Sequence, residues 1–248
     1  MLEGVGGSYE QHLAEAYDGM FLSAFQQDTA GAVAFLEDLA GKGPALELGI
    51  GTGRVALALA DTGVEVHGID SSEHMLRILS GKPGGGALSV VQGTMADFAL
   101  EERFPLIYAV FNTFFSLLTQ DEQVACFECV ARHLEPGGTF VMQAFVPDPA
   151  SFDRTHQRIS VESTSAEDLQ VDATTHDPVE QRVDNLHVLV HEGKVTLFPV
   201  KIRYTHVSEL DLMARIAGLR LRERWADWDR SEFPSAKGNH ISVWERAG

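Results

Sequence analysis

The sequence predicts an α/β fold, a doubly wound, mostly parallel seven-stranded sheet with a helical N-terminal segment and an antiparallel β insertion. Three observations predict it. Between Ala45 and Ala144, short apolar runs alternate with stretches of helical period. One of the turns in that region, Gly49-Ile-Gly-Thr-Gly53, places three alternate glycines between a strand and a helix. From about His156 to Tyr204 the helical period disappears and only alternating stretches remain, after which the α/β pattern resumes.

Residues 1–40 have helical spacing, with Tyr9, Leu13, Tyr17 and Met20/Phe21 on one face and Ala32, Phe35, Leu36 and Leu39 continuing it. They are expected to form a helical lid. Gly41-Lys-Gly-Pro44 ends that region. The core, 41–148 and 207–248, then reads as follows. Ala45–Leu48 is a buried strand, Val55–Ala60 a helix, and Val64–Ile69 a strand ending at Asp70. Ser71/Ser72 cap the helix Glu73–Leu79. Leu88–Gln92 and Leu106–Phe111 are strands, Gln123–His133 is a helix, Glu135-Pro-Gly-Gly138 a stop, and Thr139–Ala144 a strand. The cap, 149–206, contains hairpin strands at Val183–Val190 and Val195–Val200 around His191-Glu-Gly-Lys194. Ser208 and Asp211 have capping-box spacing before the helix Glu209–Ala217, and Leu219–Trp225 and His240–Trp244 close the sheet.

With 248 residues, 44% hydrophobic and 22% charged, the chain can bury a full core without disulfides or a structural metal. Cys126 and Cys129 form a lone C-x-x-C inside a helical pattern, which marks packing residues and fits a cytoplasmic protein. The first residues lack a basic segment followed by an apolar run, and no stretch of about 18 apolar residues occurs, so neither a signal peptide nor a membrane span is expected. The net charge of −17 repels phosphate backbones, which argues against a nucleic-acid substrate. Arg220, Arg222 and Arg224 alternate as the solvent face of one strand rather than as a basic stripe. The ten histidines show no ligand spacing for a metal.

The glycine turn follows Glu47-Leu48 and lets the backbone approach a ligand where any Cβ would collide. A dinucleotide fingerprint G-x-G-x-x-G would need glycine at position 54, where Arg54 stands. Seventeen residues beyond Gly53, Asp70 ends the second strand, where a carboxylate can accept both hydroxyls of an adenosine ribose. After the third strand, Gly93-Thr-Met-Ala-Asp97 offers Met95 to an adenine face and Asp97 to its exocyclic amine. In this order the motifs resemble those of the class I S-adenosylmethionine-dependent methyltransferases, over roughly Gly43–Ala144, with Leu134-Glu-Pro-Gly-Gly138 similar to their turn before strand five. The resemblance implies a Rossmann-like core that binds S-adenosyl-L-methionine and releases S-adenosyl-L-homocysteine. It implies cofactor contacts from Glu47, Gly49, Gly51, Gly53, Asp70, Ser71, Met75, Met95, Ala96, Asp97 and Phe111.

The N-terminal segment Ser8–Asp18 is similar to the lid of actinomycete small-molecule N-methyltransferases that act on lincosamide antibiotics and nucleotide-linked amino sugars; only Tyr9, Tyr17 and Asp18 match. That likeness implies Tyr17 on the cofactor carboxylate and Tyr9 beside the substrate. Strand four ends in Val110-Phe-Asn-Thr-Phe-Phe115, without the Asn/Asp-Pro-Pro-aromatic run of nucleic-acid base methyltransferases, and places Phe114 and Phe115 near the methyl group. The expected catalytic set is Tyr9, Tyr17 and Phe115. An amine acceptor needs only to arrive unprotonated, whereas an alcohol needs a general base, and no histidine occurs in the strand-four mouth. The expected reaction is therefore N-methylation of a small molecule in natural-product biosynthesis. The alternatives are O-methylation, with a base from His156, His176, His187 or His206, and cofactor binding without catalysis. A homo-oligomer through the cap insertion is a further expectation.

Overall fold

The computed structural model describes residues 29–164, 168–191, 193–233 and 238–247. Helix α1 (29–40) precedes β1 (Ala45–Leu48), α2 (Arg54–Ala60), β2 (Val66–Asp70), α3 (Glu73–Gly81), β3 (Ser89–Gln92), β4 (Phe104–Ala109), α4 (Gln120–His133) and β5 (Leu134–Phe145). The insertion contributes β6 (Gln157–Thr164), β7 (Asp168–Asp177), β8 (Arg182–His191) and β9 (Lys194–Arg203). Helix α5 (Val207–Ile216), β10 (Leu219–Trp225) and β11 (Asn239–Arg246) complete the core.

The main sheet has the order β10-β11-β5-β4-β1-β2-β3, with β1 to β5 parallel and β11 antiparallel to β5. Strand alternation splits its side chains between two cores. Leu46, Ile107, Ala109, Phe140 and Met142 face α4 and α5. Ala45, Leu106, Tyr108 and Val141 face α1, α2 and α3. The portion 29–40 of the expected lid thus packs into a core: Ala32, Phe35, Leu36 and Ala40 are buried, and Phe35 meets Trp228 edge-on at 5.5 Å. The strand order reverses beside β1, between β4 and β2, which opens a crevice at the strands' carboxyl ends.

The insertion is a separate antiparallel sheet of order β6-β7-β8-β9. Its registers align Arg158, Thr174, Asn185 and Val200 in one lateral row and His176, Val183 and Ile202 in another; Asp172, His187 and Phe198 form a third. These rows share one face, which lies over the crevice, while Ile159, Val161, Leu169, Val195 and Leu197 are exposed.

Three local expectations are corrected. Helix α5 begins at Val207 with His206 at the N-cap and no side-chain cap, so Ser208/Asp211 is not a capping box. Asp211 instead accepts from Arg224 and from the Trp244 indole, which lies across the helix–sheet interface. Arg222 sits in a bulge between Leu221 and Glu223, and the extra residue turns Arg224 inward to Asp211 and Ser242 rather than to solvent. Strand β5 begins at Leu134, paired with Phe104, five residues before the expected start.

Candidate active site

A cavity of about 1350 Å³ occupies the crevice and continues beneath the antiparallel sheet. A single small-ligand pocket spans ~300–1,000 Å³, so the space suits a cofactor and an acceptor side by side. One wall comes from the core, with Gly49, Gly51, Asp70, Ser71, Met75, Met95 and Phe111; the other from the cap, with Phe152, Arg158, Asn185, His187 and Tyr204 among others.

The glycine turn has the geometry its composition requires. Gly49 has φ +71° and a Cβ there would lie 2.1 Å from Thr113 Cγ2. Gly51 has φ +54°, and among the described residues a Cβ there would meet only the Gly49 carbonyl at 4.0 Å, so it opens onto the cavity. Asp70 ties the turn to the second strand: its Oδ2 accepts from the Gly51 N–H at 2.8 Å and its Oδ1 from the Ser72 N–H at 2.8 Å. Ser72 caps α3 by accepting from the Met75 N–H.

Glu47 lies beneath the turn, buried, off the cavity wall. Its carboxyl accepts from the Tyr108 hydroxyl at 3.1 Å and from the Ala56 N–H in α2. Burial pushes its pKa up to about 8, against the lowering by Tyr108, Arg54 and Ala56, and Asp70 adds a smaller upward push. Gly53, Ala96 and Asp97 also lie off the wall, with Asp97 exposed. Phe115 is corrected as a mouth residue: it and Phe114 are fully buried, and Phe115 packs edge-on, 5.1 Å from Phe145, which does line the cavity. The reason is the tight turn Thr113–Ser116, which swings both rings toward α4 and the core. Tyr9, Tyr17 and Asp18 lie outside the described residues.

Several contacts that shape the site have no local sequence signal. Phe111 and Asn112 both have positive φ, 55° and 64°. Asparagine tolerates that conformation, whereas phenylalanine is strained by about 1–3 kcal/mol. Strand β5 holds the pair: the Phe111 N–H donates to Gln143 Oε1 at 2.5 Å and the Asn112 side chain accepts from the Phe145 N–H at 2.8 Å. The Arg54 guanidinium lies 3.7 Å from the Phe111 ring centroid, on the face of the ring. On the cap, His187 Nδ1 lies 2.7 Å from Asp172 Oδ1 and Thr174 donates to Asn185 at 2.9 Å. His176 Nε2 lies 2.8 Å from the Tyr204 hydroxyl. Their partners are distant in sequence and become neighbours only through the strand registers.

Among the described residues, no group of three or more His, Cys, Asp or Glu could hold a metal, and no helix is long and apolar enough to cross a membrane. Cys126 and Cys129 are both buried in α4.

The sheet order, the glycine turn tied to Asp70 and the crevice define a class I methyltransferase fold, and the chain belongs to the S-adenosylmethionine-dependent methyltransferases. Residues 45–138 match a family model described as a methyltransferase domain. Relatives of 30% identity or more cover most of the chain. It is 32% identical to the cypemycin N-terminal methyltransferase of a Streptomyces species over 86% of this chain and 87% of that protein. The CcbJ methyltransferase of Streptomyces caelestis superposes with a TM-score of 0.83 and 41% identity, over 89% of this chain and 90% of that one. Streptomyces venezuelae DesVI, at 21% identity and a TM-score of 0.69 over 95% and 98% of the two chains, shares the fold.

Proposed function

We propose that the protein binds S-adenosyl-L-methionine in the core half of the cavity and methylates the nitrogen of a small-molecule amine in the cap half, as a tailoring step in antibiotic or related natural-product biosynthesis. One observation carries this reading: a single cavity joins the glycine turn and Asp70 to the inner face of the insertion. The cradle fits the cofactor, because Gly51 leaves open space where any other residue would project a side chain. The relatives support nitrogen as acceptor, since one is named as an N-terminal methyltransferase and another as an amino-sugar N,N-dimethyltransferase.

When bound, the cofactor supplies a methyl group already activated on sulphur. The chain's own residues then have to bind, align and exclude water. In this reading Asp70 accepts the ribose hydroxyls through lone pairs its two backbone bonds leave free. Met95 and Met75 flank the adenine, and Ala96 and Asp97 approach its edge from the turn after β3. Ser71 lies beside the ribose. Glu47 and Gly53 act from beneath, fixing the turn. Phe111, held in place by Gln143 and Arg54, borders the methyl group. Tyr17 meets the cofactor carboxylate and Tyr9 the acceptor. A cytoplasmic location suits such an enzyme, and the exposed apolar face of the insertion suits pairing with a second copy.

O-methylation is the second reading, favoured by one feature: the His187–Asp172 pair is the kind of base an alcohol would require. The test is incubation with methyl-labelled cofactor and three acceptors: a peptide with a free N-terminal amine, a nucleotide-linked amino sugar and its hydroxyl counterpart. Label on nitrogen supports the proposal. Label only on the hydroxyl compound moves it to oxygen, and cofactor binding without any transfer leaves a binding protein.

A further inference from the structure

Tyr204 ends the cap sheet where it meets the core. It follows β9 directly, is buried, lines the cavity, and belongs to the same apolar cluster as Phe115, Leu117 and Phe145 beside the turn after β4. Its hydroxyl lies 2.8 Å from His176 Nε2. His176 is buried at 7% exposure, and among the described residues its Nδ1 has no hydrogen-bond partner. Phe152 stacks on the His176 ring at 4.4 Å and 24°, which fixes the ring plane. His156, exposed at the rim, approaches the same ring edge-on at 5.9 Å, and its backbone carbonyl accepts from the His176 backbone N–H at 2.8 Å. A phenol on the cavity wall thus meets a buried imidazole, and a second, solvent-exposed imidazole packs on the outer edge of that ring. The O-methylation alternative drew attention to His187, but the register places it four residues along β8 from Val183, the partner of His176. At ~3.3 Å per residue that is about 13 Å farther along the strand from Tyr204's end of the sheet.

We propose that Tyr204, with His176 behind it, is the proton acceptor for the methyl-accepting amine, a role that rests on the amine reading above. Most amines arrive as ammonium ions and have no lone pair for the methyl group. In this arrangement the ammonium N–H proton passes to Tyr204 Oη while the phenol's own proton passes to His176 Nε2. The amine becomes neutral, the phenol is unchanged, and the imidazole becomes imidazolium. Once the product leaves, the imidazolium's Nε2 proton returns through Tyr204 Oη to solvent in the cavity, which restores the neutral imidazole with its proton on Nδ1. Burial holds the His176 pKa below the usual histidine value and His156 lowers it further, while Asp177 opposes both. His176 is therefore neutral at pH 7, with a free lone pair, and does not retain the proton. Burial raises the Tyr204 pKa, Arg203 opposes it, and Asp177 and Glu209 add to the rise, so the phenol keeps its proton and acts as a relay. Tyr204 would be a catalytic residue and His176 a positioning residue that also holds the transferred proton until the product leaves.

The test has two arms. Nitrogen-resolved NMR of the S-adenosylhomocysteine complex from pH 6 to 8 reads the His176 tautomer with no acceptor present; the expected result is a neutral ring carrying its proton on Nδ1. A ring protonated on Nε2, donating to Tyr204, overturns the relay whatever the acceptor is. The second arm uses the nitrogen acceptor that is labelled in the screen above. At pH 7, Tyr204→Phe and His176→Gln should each lower kcat by ~100-fold, the lower end of the range for a lost proton acceptor. Affinity for S-adenosylhomocysteine and the melting temperature of Tyr204→Phe should be unchanged. The deficit should shrink toward pH 9, as solution supplies the free amine. A deficit equal at all pH values, or full activity in Tyr204→Phe, overturns the proposal. If no amine is labelled, the amine reading fails by itself, and the tautomer still reports on the pair.

Discussion

Glu47→Gln isolates the effect of burying a carboxyl beneath the glycine turn. Glutamine keeps a side-chain carbonyl that can accept from Tyr108 and Ala56, so packing and hydrogen bonding are conserved while ionisation is removed. In the wild type the folded pKa is about 8 against an ordinary value of 4.5. Between those values the folded chain holds a proton that the unfolded chain has lost. The contribution of Glu47 is therefore complete below about pH 4.5 and is lost as pH rises to 8. The linkage slope is ~1.4 kcal/mol per pH unit, so the wild type should lose roughly 3–5 kcal/mol relative to the variant across that window. For a chain of this size 1 kcal/mol moves Tm by about 2–4 °C, which makes the effect measurable in ordinary thermal melts. Melting both proteins at pH 5, 6, 7 and 8 should show a gap that widens in favour of Glu47→Gln and stops widening above pH 8. Because all other groups titrate equally in both, two parallel curves would mean that Glu47 is ionised in the fold at neutral pH, and the reasoning would fail. Cofactor affinity should change little in this variant, since Glu47 lies off the cavity wall.

Gly51→Ala should cost about 1–2 kcal/mol through its positive φ and reduce cofactor binding at least 10-fold by calorimetry, because the new methyl enters the cavity. Asp70→Asn should weaken cofactor binding by roughly 1.5–3 kcal/mol, the range for a charge-assisted hydrogen bond; unchanged affinity would leave Asp70 as a tie for the turn alone. Tyr9→Phe and Tyr17→Phe should lower turnover without moving Tm, since the ring's packing is kept and only a hydroxyl is removed. Arg203→Met should destabilise by about 2–3 kcal/mol, as it strips the charged donor from the buried Gln123 carbonyl and from Gln181 and Glu209, while Gln120 and Gln181 still donate to Glu209; a change below 1 kcal/mol by denaturant titration would show that the Arg203 contacts are dispensable.

The core was legible because its signals are local. A strand of four residues, a glycine turn and an acid at the next strand's end each occupy one short window, and the parallel order follows from their alternation with helices. Thr119 and Glu122 form a full capping box at the start of α4, a signal of the same local kind that the expected start at Gln123 passed over. Phe115 shows where locality ends. Its position after strand four placed it near the crevice, but a single tight turn decides which way a side chain faces, and Phe145 from another strand reaches the wall instead. The strained Phe111–Asn112 pair is stabilised by Gln143, more than thirty residues away, and no window contains both.

The cap is a run of sequential hairpins, and polar contacts join the apolar packing of Tyr204, Val183 and Ile202 in fixing its placement over the core. Gln123 in α4 is fully buried, and its amide donates to the carbonyls of Leu117 and Arg203. Its carbonyl accepts from the Arg203 guanidinium at 2.5 Å and from the Thr205 hydroxyl at 2.6 Å. Arg203 also reaches Gln181 and Glu209. An apolar contact of the same area would tolerate sliding, whereas each of these bonds is directional and costly to leave unmade in a buried site. The knot fixes the end of β9, and with it Tyr204, against the core beside strand four. The far rows, with Arg158, Asn185 and His187, extend from that fixed end over the acceptor half of the cavity. Substitutions in those far rows can therefore alter what is recognised without disturbing where the methyl group is delivered. Exchange of the far-row side chains should change acceptor preference while cofactor affinity stays constant, whereas changes at Gln123 or Arg203 should affect every acceptor alike.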